Sequence, residues 1–238
     1  MSISVVLNSW KRQVNIPRIV SSLSGSGYVT EILIWDNNPG IYLDPRPMKQ
    51  PKLRVINSSK DFGLSTRWIL GQLAQNDCVI TQDDDFLIPA TSINQMYEVW
   101  KMAPDVMHGI SGRTVKLDGT YYAQWIKEGK APIIATGFAA LHRKYCVEYP
   151  KVLYEITKYL GPTIRGYVDT AGDDMLMSYL ILSIAKQPGR VHRIPYTELK
   201  GTTDPMLGIH TRQGFWEKRT AMVRAFEKYF KVNSQQYA

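Results

Sequence analysis

Residues 3–40 read ISVVLNSWKRQVNIPRIVSSLSGSGYVTEILIWDNNPG. Residues 3–9 are an apolar run with the length of a buried strand. Residues 15–26 predict a helix that a proline starts and a glycine ends. A second apolar run, residues 29–40, closes with Asn-Asn-Pro-Gly, which is typical of a turn. This strand, helix, strand order predicts neighbouring parallel strands joined through a helix.

The same alternation continues as far as residue 103. Residues 52–59 and 78–84 are predicted strands, and residues 64–76 and 92–103 are predicted helices with apolar side chains at helical spacing. The complete order predicts an α/β fold with a Rossmann-like, mainly parallel central sheet flanked by helices. Ligands of such sheets bind beyond the carboxyl ends of the strands, so polar residues at those ends are the first candidates for a site.

The second half of the chain is less regular. Residues 105–116 and 131–145 are predicted strands, with a variable insert between them, and they predict a smaller mixed sheet. Residues 172–186 and 214–230 are predicted helices. Repeats, low-complexity tracts and linkers are absent from the sequence. We therefore expect one domain over residues 1–238, with a nucleotide-binding front half (residues 1–103) and an acceptor-binding back half (residues 104–238).

Composition limits the classes of protein that this chain can belong to. Its 238 residues are 44% hydrophobic and 21% charged, which is typical of a globular domain. A net charge of +8 favours anionic ligands, although the basic residues form no continuous block. Cys78 and Cys146 give no disulfide framework and no zinc-ligand spacing. No run of about 18 apolar residues is present, so we expect no transmembrane segment.

The sequence contains no recognisable targeting signal. It begins with MSISVVLNSWKR, which passes from a short apolar run directly into polar residues and does not resemble a signal peptide. We therefore expect a cytosolic protein, and we expect the Golgi or endoplasmic reticulum only if the chain is a domain excised from a longer protein. For the oligomeric state, we expect either a monomer or a homo-oligomer.

Three consecutive aspartates, Asp83 to Asp85, lie at the carboxyl end of the last predicted strand of the front half. Adjacent carboxylates repel one another and are costly to bury unless a cation compensates them. On an extended strand end, Asp83 and Asp85 would point to one side and Asp84 to the other. Oxygen ligands suit Mn²⁺, and also Mg²⁺, so we expect one of these ions here. The alternative is an acidic turn whose carboxylates accept backbone N–H groups.

Further polar groups are expected around the aspartates. Ser9 to Arg12 and Asp36 to Asn38 lie at the carboxyl ends of two other predicted strands, so we expect them at the same edge of the sheet as the aspartates. Arg12, Arg67 and Arg113 can clamp a phosphate in a bidentate way, although a single arginine is more often a solvated surface residue.

Two later segments extend the candidate site. Asp173 and Asp174 begin a predicted helix, where one carboxylate would cap the helix and the other could face a cleft. Residues 208–219 add His210, Arg212, Lys218 and Arg219, and the preceding residues 198–208 could fold as a lid or could be an ordinary loop.

Taken together, these residues resemble the exostosin-like glycosyltransferases, family 64 of the GT-A class. The resemblance runs over nearly the whole chain and keeps the order of the family's motifs. The stretches that carry it are VVLNSWKR, ILIWDNNPG, STRWIL, DDDFLI, YEVWKMAPD, GISGR, IIATGFAALHRKY, GDDMLMSYL and HTRQGFWEKR.

The resemblance implies a GT-A fold and a metal-dependent glycosyltransferase that retains the configuration at the anomeric carbon. Its donor would be a UDP-sugar, most often of an N-acetylhexosamine, and its acceptor a glycan or glycoconjugate hydroxyl. GDP-mannose and UDP-glucose are alternative donors. The family's animal members carry an N-terminal membrane anchor and paired cysteines, which this sequence lacks, and DFGLSTR lacks an asparagine that the family tends to place before the arginine.

The resemblance also assigns roles to single residues. Asp85 would ligate the metal and Asp174 would lie beside the anomeric carbon, with Asp173 next to it and Arg219 steadying the pyrophosphate. The residues expected to bind the nucleotide sugar are Ser9, Arg12, Asn37, Asn38, Arg67, Asp83, Asp84, Arg113 and His210.

Two other functions use parts of the same pattern. A metal-dependent nucleotidyltransferase would also use an acidic strand end and arginines, but the sequence has no glycine-rich phosphate loop near its start. A basic nucleic-acid-binding module would cluster its lysines and arginines with exposed aromatic residues, whereas most aromatic residues here fall inside apolar runs. We therefore expect no nucleic-acid partner.

Overall fold

The first strand of the chain lies inside an eight-stranded sheet. The computed structural model describes residues 2–199 and 213–237, apart from the side chains of residues 122, 123, 162, 163 and 169. Within them the order of strands in this sheet is β3-β2-β1-β4-β11-β6-β12-β9. Strands β1 to β4 are mutually parallel, and β11 runs antiparallel to both of its neighbours. The prediction of an α/β fold with a mainly parallel central sheet is therefore confirmed.

The front half follows its sequence pattern closely. Its strands end at or within a few residues of the predicted positions, and helix α1 ends at the expected glycine, Gly25. These elements are β1 (Ile3–Ser9), α1 (Ile16–Ser24), β2 (Val29–Asp36), β3 (Leu53–Asn57), α2 (Thr66–Gln72), β4 (Cys78–Gln82), β5 (Phe86–Leu87) and α3 (Ala90–Met102).

The back half departs further from its pattern. Its elements are β6 (His108–Gly109), β7 (Gly112–Val115), β8 (Tyr121–Ile126), β9 (Gly129–Ala131), β10 (Ile133–Ile134), β11 (Phe138–His142), α4 (Arg143–Ile156), α5 (Pro162–Ala171), α6 (Asp173–Ala185), β12 (Gly189–Val191), β13 (Thr197–Glu198) and α7 (Phe215–Phe230).

The prediction of one strand over residues 131–145 was wrong. Residue 131 ends β9 and residues 138–142 form β11, both in the large sheet, whereas residues 133–134 pair in the three-stranded sheet β10-β7-β8 and residues 143–145 begin α4. Residues 105–116 divide in the same way between β6 and β7. The physical reason is that a short apolar run can serve either sheet, and its partner strands decide which one.

Apolar side chains fill both faces of the large sheet. On one face, Ile3, Val5 and Leu7 pack with side chains of α1 and α3. On the other face, Val6 belongs to a buried apolar cluster that includes side chains of α2, α4, α6 and α7. Because successive residues of a strand point to opposite faces, the buried strand β1 carries apolar side chains on both faces, and its polar residues are Ser4 near the start and Asn8 and Ser9 at the carboxyl end. This leaves its carboxyl end as the place where polar groups gather.

Candidate active site

The three aspartates lie in a turn rather than on a strand. Strand β4 ends at Gln82, whose side-chain amide donates to the carbonyl of Phe86 at 2.8 Å. The backbone N–H of Asp83 donates to the carbonyl of Gly137 at 3.0 Å. The turn therefore sits at the carboxyl end of β4, between β1 and β11. Residues Asp83–Asp85 are called the aspartate turn below.

The expected alternation of the three side chains was wrong. Nη1 of Arg12 lies 2.7 Å from Oδ1 of Asp84 and 2.6 Å from Oδ2 of Asp85, so these neighbours share one guanidinium. Asp83 instead pairs with Nη1 of Arg67 at 2.7 Å. The reason is that the chain leaves the extended conformation after β4, and the period of two ends with it.

Asp84 is fixed from several directions. Its Oδ2 accepts the backbone N–H of Trp10 at 2.8 Å, and its carbonyl accepts the side-chain amide of Asn15 at 2.9 Å. Burial raises the pKa of Asp84 to about 7, and burial together with the charge of Asp83 raises the pKa of Asp85 to about 6. Arg12 opposes both increases but does not cancel them. A further positive charge would therefore stabilise the ionised carboxylates.

Arg67 joins the aspartate turn to the start of helix α6. It projects from α2, its side chain is only 2% exposed, and its Nε lies 3.3 Å from Oδ2 of Asp173. Burial alone would lower the pKa of Arg67, but Asp83 and Asp173 raise it above the ordinary value. Burial raises the pKa of Asp173 to about 7 in spite of Arg67. The aspartate turn and the start of α6, which are 90 residues apart in sequence, thus contact the same buried guanidinium.

The two aspartates of α6 bind different arginines, and neither makes the predicted N-cap hydrogen bond. The N-cap residue is Gly172, and the helix begins at Asp173. Oδ1 of Asp174 accepts the backbone N–H of Met175 at 2.8 Å, and Oδ2 accepts Nη2 of Arg219 at 2.7 Å. A Cβ at Gly172 would lie 2.5 Å from the sulfur of Met222 and 3.2 Å from Cα of Val168, so a larger residue here would require the side chain of Met222 to move.

Aromatic rings surround the arginines of the back half. The guanidinium of Arg219 lies 4.5 Å from the ring centroid of Tyr121, and that of Arg113 lies 3.4 Å from the centroid of Trp125. Burial raises the pKa of Tyr121, and burial lowers the pKa of Arg113. The sequence had left both aromatic residues in a variable insert, because a β-hairpin gives no sign of what its side chains will meet.

Asn37 and Asn38 are buried, and both hold loops in place. Oδ1 of Asn38 accepts the backbone N–H of Lys11 at 2.7 Å, and its Nδ2 donates to Asp36 at 2.6 Å. Asn37 accepts the backbone N–H of Phe62 at 3.1 Å. Asp36 is completely buried; the sequence marked it only as part of a strand end.

The structure brings most of the predicted site residues to one edge of the sheet. The hydroxyl of Ser9 is buried there, and it has no hydrogen-bond partner in the described part of the chain. His210, Arg212 and the predicted lid beyond residue 199 lie outside the described residues. The residues that meet around Arg12, Arg67 and Arg219 are Asp83, Asp84, Asp85, Asp173, Asp174 and Tyr121.

The chemistry of the aspartate turn fits a hard divalent cation. Asp84 and Asp85 are both buried, they carry only oxygen donors, and both contact Nη1 of Arg12. Over residues 2–199 and 213–237, no three His, Cys, Asp or Glu side chains are grouped so that they could hold a metal ion.

A cavity of about 600 Å³ lies at the other end of the sheet. It is lined by the end of α3, the start of α4 and the end of α6, and Lys144 and Arg190 face it. Lys144 is two residues from His142, which pairs with the first residue of β4, whereas the aspartate turn follows the last. The cavity is therefore separate from the candidate active site.

The fold and the site together define a class of protein. The crystal structure of GalNAc-T7 with UDP, GalNAc and Mn²⁺ superposes with a TM-score of 0.62, covering 97% of this chain and 50% of that one at 12% identity. The fold is therefore of the GT-A type, as predicted. The glycosyl transferase family 64 domain matches residues 3–237, and the chain belongs to this family.

Curated relatives agree with this assignment. The chain is 25% identical over 227 residues to Exostosin-1c of Danio rerio, covering 90% of this chain and 29% of the relative. It is 24% identical over 252 residues to glycosylinositol phosphorylceramide mannosyl transferase 1 of Arabidopsis thaliana, covering 95% of this chain and 72% of the relative. The chain thus spans less than a third of the exostosin.

The expectation of a cytosolic protein was wrong. That expectation depended only on the absence of a targeting signal from the sequence. The family assignment, with its exostosin and mannosyl transferase relatives, contradicts it. Among residues 2–199 and 213–237, no helix has the length and apolar character needed to cross a bilayer.

Proposed function

We propose that this domain is a metal-dependent, retaining glycosyltransferase that moves a sugar from a nucleoside diphosphate to a glycan or glycoconjugate hydroxyl. One observation carries the proposal in particular. In a chain of family 64, Arg67 brings the aspartate turn and the Asp173–Asp174 pair to the same edge of the sheet. That edge is where open α/β sheets bind their ligands.

A UDP-N-acetylhexosamine is the donor that we favour. GalNAc-T7, which shares the fold, was crystallised with UDP, GalNAc and Mn²⁺. The mannosyl transferase relative supports a second candidate, GDP-mannose, because it aligns over most of both chains. UDP-glucose is the third. The donor site would be formed by the turn after β1, the turn after β2 and the aspartate turn, to which Ser9, Arg12, Asn38 and Asp84 belong.

Asp85 would hold the metal ion, with Asp84 beside it. When bound, Mn²⁺ or Mg²⁺ supplies positive charge that stabilises the diphosphate leaving group. Arg12 supplies a guanidinium within reach of the same carboxylates, and its planar fork suits phosphate oxygens.

Asp174 is the group that we place beside the anomeric carbon. Its hydrogen bonds to Arg219 and to the backbone of Met175 fix the orientation of its carboxylate. A fixed negative charge there stabilises positive charge that develops on the sugar ring, and it can also orient the acceptor hydroxyl. Retention then follows from attack on the face that the diphosphate leaves, and a departing phosphate oxygen takes the proton of the hydroxyl.

Product analysis tests this function against its rivals. The protein is incubated with UDP-GlcNAc, UDP-GalNAc, UDP-glucose and GDP-mannose, each with and without Mn²⁺ and with a panel of glycan acceptors. Release of free UDP or GDP, together with a product whose new bond keeps the donor's configuration by NMR, is expected. Release of pyrophosphate would indicate a nucleotidyltransferase, and an inverted linkage would refute the retaining mechanism.

A further inference from the structure

Arg12 lies on the carboxylates that we assign to the metal. Its Nη1 lies 2.7 Å from Asp84 and 2.6 Å from Asp85, and its side chain is only 13% exposed. A single nitrogen makes both contacts, and in the described part of the chain Nε has no hydrogen-bond partner although it is buried. The carboxylates therefore do not bind the guanidinium through two of its nitrogens, which leaves a bidentate contact available to another ligand.

The backbone holds Arg12 in this place. Lys11 has φ +59°, in the left-handed region that residues other than glycine rarely adopt. Its N–H donates to Oδ1 of Asn38 at 2.7 Å, which stabilises this conformation. The N–H of Trp10 donates to Asp84 at 2.8 Å on the other side. The turn after β1 is thus tied to two neighbouring turns, and it directs Arg12 towards Asp84 and Asp85.

We propose that Arg12 is an electrostatic latch on the cation position. In the resting protein its guanidinium neutralises Asp84 and Asp85, and on binding of a nucleoside diphosphate it moves to the phosphate oxygens and exposes Asp85 to the metal ion. The inference rests on the proposed function, because it takes Asp85 as the metal ligand. It adds that the nucleotide-free site binds the metal ion weakly until an anion replaces the carboxylates as the partner of Arg12.

The latch couples the two ligands. A metal ion that arrives alone must displace Arg12 and leave that guanidinium without a carboxylate in a largely buried place, which is costly. A diphosphate offers Arg12 a bidentate partner instead. Because coupling between two binding sites is reciprocal, each ligand must then strengthen the binding of the other. Removing Arg12 should therefore raise the affinity for the metal alone.

Lys11 provides a matched control. It carries the same charge one residue away, but it is exposed, and its ammonium lies 4.3 Å from the ring centroid of Trp10. Lys11→Gln and Arg12→Gln each remove one positive charge from the same turn. Only Arg12→Gln removes a group that touches Asp85.

The experiment measures Mn²⁺ binding directly, without turnover, by electron paramagnetic resonance of the free ion. Arg12→Gln is expected to raise the Mn²⁺ affinity of the nucleotide-free protein by at least about fivefold, whereas Lys11→Gln leaves it near the wild-type value. An equal increase in both variants, or none in Arg12→Gln, would overturn the latch. Arg12→Met is the second variant if Arg12→Gln has a disturbed circular dichroism spectrum.

The same titration separates the latch from the proposed function. Wild-type protein that binds no Mn²⁺ even with UDP present would refute the metal site, and the latch with it. Wild-type protein that binds Mn²⁺ with UDP, together with an Arg12→Gln variant of unchanged Mn²⁺ affinity, would refute the latch alone.

Discussion

Oδ2 of Asp174 accepts a hydrogen bond from Nη2 of Arg219 at 2.7 Å, and both side chains are largely buried. The same arginine donates from Nη1 to the carbonyl of Ala171 at 2.8 Å. Helix α7 therefore fixes a carboxylate at the start of α6, although the two residues are 45 positions apart. A buried and oriented carboxylate of this kind is what the proposed reaction needs beside the anomeric carbon.

Asp174→Asn is expected to lower kcat by about a hundredfold or more, because the amide keeps the shape but removes the charge that stabilises the transition state. Binding of the nucleotide with Mn²⁺ should persist, as judged by calorimetry with UDP. Asp44→Asn, which changes an exposed aspartate paired with Arg46, is the control and should leave kcat unchanged. A nearly normal kcat in Asp174→Asn would remove this residue from the reaction.

Asp85→Ala is expected to abolish turnover at every Mn²⁺ concentration, because the variant lacks the carboxylate assigned to the metal. Initial rates measured over a range of Mn²⁺ concentrations check this. Asp105→Ala is a comparison at the other end of the sheet and should keep the wild-type Mn²⁺ dependence. If Asp85→Ala retained near-normal activity over that range, the metal assignment would be wrong.

Arg67→Met is expected to lower the free energy of unfolding by about 3–5 kcal/mol, because it leaves the buried Asp173 without its cation. Urea denaturation at pH 7.5 measures the loss. The double variant Arg67→Met with Asp173→Asn removes both charges and should recover part of it. Equal losses in the single and double variants would mean that the ion pair is not the cause.

Asp173 should make stability depend on pH. Its native pKa is raised to about 7, whereas an unfolded aspartate titrates near 3.9. Between these values the native state holds a proton that the unfolded state has released, so the contribution to stability is present below about pH 4 and is lost as pH rises to about 7. Asp173→Asn should lack this loss when urea unfolding is compared at pH 5 and pH 7.5.

His108 should make stability depend on pH in the opposite direction to Asp173. Its Nδ1 lies 3.0 Å from Nε2 of His192, its Nε2 lies 2.9 Å from the carbonyl of Ala103, and burial lowers its pKa to about 4. An unfolded histidine titrates near 6.5, so this contribution is present above about pH 6.5 and is lost as pH falls towards 4. In His108→Gln, urea unfolding from pH 6.5 to 4.5 should show a smaller loss than the wild type; an equal loss would contradict the assignment.

The candidate site was predictable in its residue types but not in its pairings. The sequence marked the three aspartates, the aspartates of α6 and the arginines, since these charges follow apolar elements. It could not show that Asp84 and Asp85 share Arg12, because that contact depends on the conformation of a turn. Tyr121 gave no signal, because its place beside Arg219 depends on how a hairpin packs on α7.

The parallel front half of the sheet is predictable from local sequence alone, since buried strands and amphipathic helices have periods that depend only on neighbouring residues. The sequence pattern did not predict helix α4, because Tyr145 favours strands and Pro150 interrupts the helical pattern. Tertiary structure alone decided which strand of residues 131–145 joins which sheet, and which arginine neutralises which aspartate. Those choices depend on contacts between distant segments, whose free energy exceeds any local preference.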